Sequence, residues 1–185
     1  MTAHRVFSRA EAADRRDAPP ALPCPAQELV IRRLKAADMA AVEAHLLALD
    51  PAGRASRFHV PLCDDAVRAY ARRLDCRRMI LVGAVDPETG DVIGLAEAHL
   101  GAGDGPQSAE VSVSVLTRHR GRGIGRLLVA VALDAAAARG ARRAEFHYQA
   151  GNRAIAHLVR DLGAPAAAAP GFAALALPLG PAVLH

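Results

Sequence analysis

The sequence has no tryptophan and few other aromatic residues, only four phenylalanines and two tyrosines. Proteins that bind single-stranded nucleic acid stack bases on aromatic side chains, so this shortage disfavours that class. Residues 163–185 contain no Asp, Glu, Lys or Arg, which would suit a membrane span. Their four prolines exclude a continuous helix, and we expect a short buried strand near 172–177 instead.

Cysteine is also scarce. Cys24, Cys63 and Cys76 are odd in number and lack the spacing of metal ligands, and no His-Glu-x-x-His pattern occurs. We therefore expect reduced thiols and no metal. The first residues include no apolar block of the kind that forms a signal peptide, so a cytoplasmic location and no membrane partner are expected.

The 185 residues suit one domain with a substantial core. Residues 1–27 carry scattered charges and four prolines and are predicted to be a disordered tail, which leaves residues 28–185 as the domain. The 23 basic side chains exceed the 19 acidic ones by four. So small an excess fits an anionic small ligand as well as it fits nucleic acid.

The rest of the chain is organised around residues 110–140. Valines at 111, 113 and 115 alternate with polar residues, which predicts a strand with one buried face. A glycine-rich turn follows, and apolar residues then recur at helical spacing until Gly140, a natural helix end. Strand, turn and helix are therefore predicted in direct succession.

This turn has the properties of an anion site. The first amides of a helix have no partner in the chain and carry the positive end of the helix dipole. Glycines at 121, 123 and 125 let a ligand approach the backbone, and four arginines surround them, at 118, 120, 122 and 126. We predict a phosphate or pyrophosphate site. Neither the P-loop signature nor the dinucleotide fingerprint fits, because Gly-Lys-Ser/Thr is absent and the glycines are spaced Gly-x-Gly-x-Gly.

The pattern Arg120-x-x-Gly123-x-Gly125, after a strand and before a helix, resembles the pyrophosphate loop of the GNAT superfamily of N-acetyltransferases. The resemblance implies acetyl-coenzyme A as co-substrate, with its pantetheine along the backbone of Val113 and Val115. It also implies that Asn152 reaches the cofactor, although Asn152 is equally a helix N-cap. The implied loop residues are Arg120, Gly121, Arg122, Gly123, Ile124, Gly125 and Arg126.

The remaining elements complete a fold prediction. Strands are predicted at 29–34, 79–85, 92–100, 143–149 and 172–177, and further helices begin near Asp38, Asp64 or Asp65, and Asn152. Asp50-Pro51 is expected to end the first of these helices, and residues 53–63 are expected to be irregular. The resulting order β-α-α-β-β-β-α-β-α-β is that of the GNAT fold, an α/β (α+β) architecture with a mixed, mostly antiparallel sheet flanked by helices.

Acetyl transfer to an amine requires a base, since a lysine-like amine with a pKa of about 10.4 is protonated at pH 7. Glu110 is the candidate, because alternation places it opposite the buried valines on the strand that enters the loop. The segment 109–113 resembles the strand opening of bacterial Pat-type protein lysine acetyltransferases, in which this glutamate is the base. Glu97 is the alternative base. His99 and His147 are strand residues near the expected cleft, and structural roles are commoner for such histidines.

Two departures from the family pattern stand out. Many relatives carry a tyrosine as general acid where this chain has Val159, and they commonly read Leu-Gly-Phe where it has Leu162-Gly163-Ala164. A thiol is a tolerable leaving group without full proton donation, so activity does not depend on that tyrosine.

Three functions are compatible with these residues. The first is an acetyl-coenzyme A-dependent N-acetyltransferase that acts on a primary amine, with a protein lysine as the favoured acceptor and a small-molecule amine as the alternative. The second is a non-catalytic acyl-coenzyme A-binding regulator. A nucleic-acid binder using the arginines at 118–126 with those at 139, 142 and 143 is disfavoured by the low aromatic content. A homodimer is left open.

Overall fold

A computed structural model of the chain describes residues 4–5, 28–101, 107–164 and 171–177. Apart from His4 and Arg5, the tail predicted to be disordered lies outside these residues, and so do Cys24 and residues 178–185. The elements described below are those of this part of the chain.

A single seven-stranded sheet runs through the molecule in chain order, β1 to β7. Every neighbouring pair is antiparallel except β5 and β6, which are parallel. Six of the seven strands were predicted, each to within three residues at either end, whereas β1 lies in the segment predicted to be a disordered tail. The seven are β1 His4–Arg5, β2 Val30–Arg33, β3 Ile80–Val85, β4 Val92–Leu100, β5 Ser108–Val115, β6 Arg143–His147 and β7 Phe172–Ala176.

Five α-helices flank the sheet. They are α1 Met39–Leu47, α2 Pro51–Phe58, α3 Asp64–Ala71, α4 Ile124–Ala138 and α5 Arg153–Asp161. Gly140 lies just beyond the end of α4, and its φ of +92° is the left-handed conformation that glycine supplies after helix ends.

The sequence prediction was wrong about residues 51–58, which form α2 rather than an irregular connector. Asp50 does not merely end α1. It is the N-cap of α2, its side chain accepting from the amide of Gly53, and Pro51 occupies the first helical position. The helix before β3 likewise begins differently, with Cys63 as N-cap and the two aspartates in its first turn. The described part of the chain therefore has one α-helix more than predicted.

Two apolar clusters cover the two faces of the sheet. The larger joins α4 and α5 to one face, with Leu128, Val129 and Phe146 among its buried members. The smaller joins α1 and α3 to the other face around Leu46, Val67 and Leu95. Burial of these side chains removes apolar surface from water, which stabilises the fold and fixes the helices against the strands.

The sheet forks between its two parallel strands. β5 and β6 are paired only over residues 108–110 and 143–145. Beyond Glu110, β5 continues to Val115 with its β6-facing edge unpaired, while β6 continues to His147. This fork, close to the start of α4, determines where a ligand can enter the sheet.

Candidate functional site

A cavity of about 650 Å³ occupies the open part of the fork. Val113, Ser114 and Val115 of β5 form one wall. Gln149, Gly151 and Asn152, which precede α5, form another. Residues of α2 and of the glycine-rich loop complete the lining. The cavity thus has an exposed strand edge on one side and a helix start on another.

The loop conformation explains its glycines. Gly121 and Gly123 have φ of +75° and +77°, a region that side-chain-bearing residues rarely adopt, and a β-carbon at either would meet nothing within 4 Å. Gly123 is the N-cap of α4, and no side chain in the described residues caps this helix. The first amides of α4 therefore remain as donors beside an open cradle, which fits a phosphate group.

The loop is fixed by contacts with its neighbours. Arg120 donates through Nε to the carbonyl oxygen of Val115 at 2.9 Å, and its Nη2 lies 3.5 Å from Asp50 Oδ1. Thr117 donates to the other oxygen of Asp50. Asp50 thus joins the start of α2 to the loop, and its interactions, the hydrogen bond from Thr117 foremost, hold the pKa of its carboxyl below the usual value.

His119 lies in the same loop and also lines the cavity. Arg118 donates to its Nε2 at 2.9 Å, and Arg122 Nη1 lies 3.4 Å from its Nδ1. Desolvation and the two guanidinium charges lower the pKa of His119, which favours the neutral ring.

Nine of the ten predicted cofactor residues line the cavity: Val113, Val115, Arg120, Gly121, Gly123, Ile124, Gly125, Arg126 and Asn152. Arg122 is the exception and contacts His119 instead. The two groups of arginines that a nucleic-acid binder would use, at 118–126 and 139–143, lie toward opposite ends of α4, which is about 22 Å long for its 15 residues.

Glu110 lies at the base of the fork, outside the lining of the main cavity. It is exposed, is paired in register with His99 and Glu145, and lines a second cavity with His59, His147, Tyr148 and Gly171. Three residues separate it from Val113, about 10 Å along a strand. His59 has a φ of +62°, the single positive value outside glycine in the described residues, and this left-handed conformation ends α2.

Glu97 is fully buried and belongs to an ionic cluster. Its Oε1 lies 2.6 Å from Arg57 Nη2, and its Oε2 accepts from the hydroxyl of Tyr70 and lies 3.4 Å from His99 Nε2. Burial alone would favour the protonated acid, but the charge of Arg57 and hydrogen bonds from His99, Tyr70 and Arg57 outweigh it and lower the pKa of Glu97 to about 2. A carboxylate so firmly ionised is a poor proton acceptor.

A second buried pair lies under the cavity wall. His45 Nδ1 faces the carbonyl oxygen of Val92 at 2.9 Å and must donate to it, so Nε2 accepts from the hydroxyl of Ser114 at 2.8 Å. Burial lowers the pKa of His45 to about 4, which keeps the ring neutral. Sequence reasoning missed this pair and also Arg57, because each joins residues distant in the chain.

No set of three or more His, Cys, Asp or Glu residues in the described ranges could hold a metal ion. Cys63 and Cys76 are free thiols. Within the same ranges, every helix is too short or too polar to cross a lipid bilayer.

A forked mixed sheet with a glycine-rich, uncapped helix start at the fork defines the N-acetyltransferase class, and the predicted fold is confirmed. The model of the acetyltransferase (GNAT) family matches residues 48–164. The chain belongs to this family.

Solved structures with this fold are similar in shape and distant in sequence. The GNAT domain of S. lividans PAT is 21% identical at a TM-score of 0.66, with 81% of this chain and 91% of that chain covered. A phosphinothricin acetyltransferase from Sinorhizobium meliloti, crystallised with AcCoA, is 22% identical at a TM-score of 0.64, with 83% and 91% covered. An N-acetyltransferase from Staphylococcus aureus Mu50 is 21% identical at 0.63, with 81% and 99% covered. No curated protein sequence matches the chain.

Proposed function

We propose that this acetyltransferase moves an acetyl group from acetyl-coenzyme A to a primary amine, a lysine side chain on a protein, and that Glu110 accepts the proton of that amine. The observation that carries the proposal is the end of β5–β6 pairing at Glu110. It leaves a cavity suited to a pantetheine arm in the open part of the fork and a carboxylate in a second cavity, whose lining residue Tyr148 is next in sequence to Gln149 of the first.

The main cavity suits both the pyrophosphate and the pantetheine of coenzyme A. The positive-φ glycines and the free amides of α4 would hold the pyrophosphate, with Arg120 and Arg126 supplying charge. The edge of β5 that β6 leaves open at Val113 and Val115 would hydrogen-bond the pantetheine amides as a strand does, with Arg120 sharing the carbonyl oxygen of Val115. Asn152 would approach the ligand from the α5 side.

The second cavity suits an amine. Glu110 is the carboxylate among its lining residues, and within the described part of the chain that lining includes no arginine or lysine. An amino acid acceptor would need a cation for its own carboxylate, whereas a lysine side chain would need none. This favours a protein lysine over an amino-acid-like small molecule.

Glu110 is preferred to Glu97 as base because the two carboxylates differ in availability. Glu97 is buried and held ionised by Arg57, whereas Glu110 is exposed in a cavity. A protonated acceptor would lose its proton to Glu110 or to water held by it, and the neutral amine would then attack the thioester directly.

The test combines binding with turnover. Wild-type protein is expected to bind acetyl-coenzyme A in calorimetry and to release coenzyme A when poly-L-lysine is added. Glu110→Gln should retain the affinity and lose about a hundredfold or more in kcat. Binding without turnover on any amine of a broad panel, unchanged by Glu110→Gln, would instead identify a non-catalytic regulator. Mass-spectrometric screening of acetylated peptides identifies the acceptor.

A further inference from the structure

Arg57 is a buried cation that reaches the main cavity. Its side chain is 9% exposed, and it lines the cavity together with Val113 and Ser114. Its Nη2 lies 2.6 Å from Glu97 Oε1 and donates to the hydroxyl of Tyr70 at 2.6 Å. The contacts with Glu97 and Tyr70 hold the guanidinium group in place.

Two aromatic rings also pack against the guanidinium group of Arg57. The rings of Phe58 and Tyr70 lie 5.0 Å and 5.3 Å from its central carbon, within the range of cation–π attraction. A group packed in this way needs no reorganisation to meet a developing negative charge.

Arg54, on the same helix, shows what a purely structural arginine does here. Its three nitrogens are all used: Nε donates to Leu49 O, Nη2 to Leu47 O, and Nη1 to Leu62 O and Asp64. In contrast, the polar contacts of Arg57 with the described residues all run through Nη2. Its Nε and Nη1 make no hydrogen bond to those residues, and the side chain lines the cavity.

Arg57 and Glu110 lie on the same face of the sheet. Glu97 is the cross-strand partner of Ser112, and Glu110 lies two residues before Ser112 on β5, about 7 Å along the strand. Residues 110, 112 and 114 share one face because strand side chains alternate. The proposed base and the ion pair of Arg57 with Glu97 therefore share one face of the sheet, about two residues apart along β5.

We propose that Arg57 donates a hydrogen bond to the acetyl carbonyl oxygen of acetyl-coenzyme A and stabilises the negative charge that forms there and on the departing sulfur. This inference rests on the proposed function. The amine nitrogen bonds to the carbonyl carbon, and the carbonyl oxygen takes up the electron pair. That pair returns as the carbon–sulfur bond breaks. Glu110 has by then released the first proton of the acceptor ammonium to solvent, and it accepts the second from the nitrogen once the new bond has formed. The thiolate takes one proton from solvent, so one proton is released in total, and Arg57 stays charged throughout.

Several other donors in the described lining of the cavity already have partners within the protein. The lining contains no tyrosine, lysine or cysteine, and the hydrogen of the Ser114 hydroxyl is directed to His45. Arg120 donates to Val115 O at the loop end of the strand. Arg57 is left as the cation on the face of β5 that also carries Glu110.

The carbonyl stretch of bound acetyl-coenzyme A tests the inference without an acceptor. In wild-type protein, infrared difference spectra with 13C-labelled acetyl-coenzyme A should show the band at lower frequency than in solution, because a hydrogen bond to a cation weakens the C=O bond. Arg57→Gln should lose most of that shift and retain binding. Arg54→Gln, the matched control from the same helix, should retain the shift even where it lowers stability.

Kinetics separate the role of Arg57 from a structural one. With poly-L-lysine, Arg57→Gln should lower kcat about a hundredfold or more and leave KM for acetyl-coenzyme A within a few fold. Arg57→Lys should recover part of kcat. If removal of the cation leaves Glu97 unpaired and the variant unfolds, Arg57→Gln/Glu97→Gln replaces it, with the same expected loss.

The outcomes distinguish the two proposals. Normal binding of acetyl-coenzyme A with no band shift in wild-type protein, or the same shift in Arg57→Gln, would overturn the role of Arg57 and leave the proposed function standing. A rise in KM for poly-L-lysine at constant kcat would assign Arg57 to acceptor binding instead. Absence of any acetyl-coenzyme A binding would overturn both.

Discussion

The side-chain amide of Asn152 donates to the hydroxyl of Ser56 at 2.7 Å, which joins the start of α5 to α2 across the main cavity. The oxygen of the same amide accepts from the backbone of Ile155 at 3.2 Å and caps α5. Gln149 adds a parallel link to the carbonyl oxygen of Ala55 at 3.2 Å. Helix α2 is therefore tied to the far wall of the cavity as well as to the loop.

The two bonds of Asn152 can be separated by substitution. Aspartate caps helices about as well as asparagine, so Asn152→Asp should retain the cap and lose the donor to Ser56. Asn152→Ala loses both and should lower the free energy of unfolding by about 1 kcal/mol more than Asn152→Asp in urea denaturation. Equal losses in the two variants would mean that the bond to Ser56, rather than the cap, carries the stability.

Gly123 is the loop position at which charge should matter most. In a thermal-shift assay, acetyl-coenzyme A should raise the melting temperature of the wild type by mass action, and Gly123→Glu should abolish that rise by placing bulk and like charge at the pyrophosphate. Gly140→Glu is the matched control, since Gly140 also has positive φ and open space but lies at the far end of α4. A retained rise in Gly123→Glu would place the phosphate elsewhere.

The sequence predicted the parts of this molecule that depend on local pattern. The strand at 92–100 was predicted at its observed bounds, and the glycine-rich start of α4 was located by spacing alone. Both follow from alternation, helical period and turn chemistry, which act over a few residues.

Helix α2 was not predicted because its stability is not local. Its residues are mostly polar or small, and Gly53 in its first turns disfavours a helix. It is stabilised by tertiary contacts, in particular those of Arg54 with Leu47, Leu49 and Asp64. Asp50-Pro51 was interpreted as a helix end, although the same dipeptide is also a cap followed by a first-turn proline.

The role of Glu97 could not be predicted from a local sequence pattern either. Alternation placed it on a sheet face with His99, but its partner Arg57 is 40 positions away and on an element that was not predicted. Whether a carboxylate is a base or one half of an ion pair depends on such long-range contacts. The same holds for Ser114 and His45, 69 residues apart.

His45 should make the protein less stable in mild acid. Its pKa is about 4 in the folded protein because of burial, against about 6.5 in an unfolded chain. The unfolded state therefore takes up the proton first, and stability falls as the pH drops from about 6.5 to 4, by up to about 3 kcal/mol. His45→Gln, which can keep one donor toward Val92 and one acceptor toward Ser114, should flatten urea-derived stability across this range. An unchanged slope in that variant would show that His45 is not the group responsible.

Glu97 should act in a lower pH window with the same sign. Its pKa is about 2 when folded, held there by Arg57 against the effect of burial, while an unfolded glutamate titrates near 4.3. The contribution of Glu97 to the free energy of unfolding is complete above about pH 4.5 and is lost as the pH falls toward 2, a change on the order of 3 kcal/mol.

In Glu97→Gln the dependence of stability on pH should weaken in this window, and stability at pH 7 should fall because Arg57 is left buried without its partner. Glu88→Gln, in the exposed turn between β3 and β4, is the matched control and should leave both unchanged. If Glu97→Gln were as stable at pH 7 as the wild type, the ion pair would contribute nothing to the fold, and the fixed position assigned to Arg57 would lose its basis.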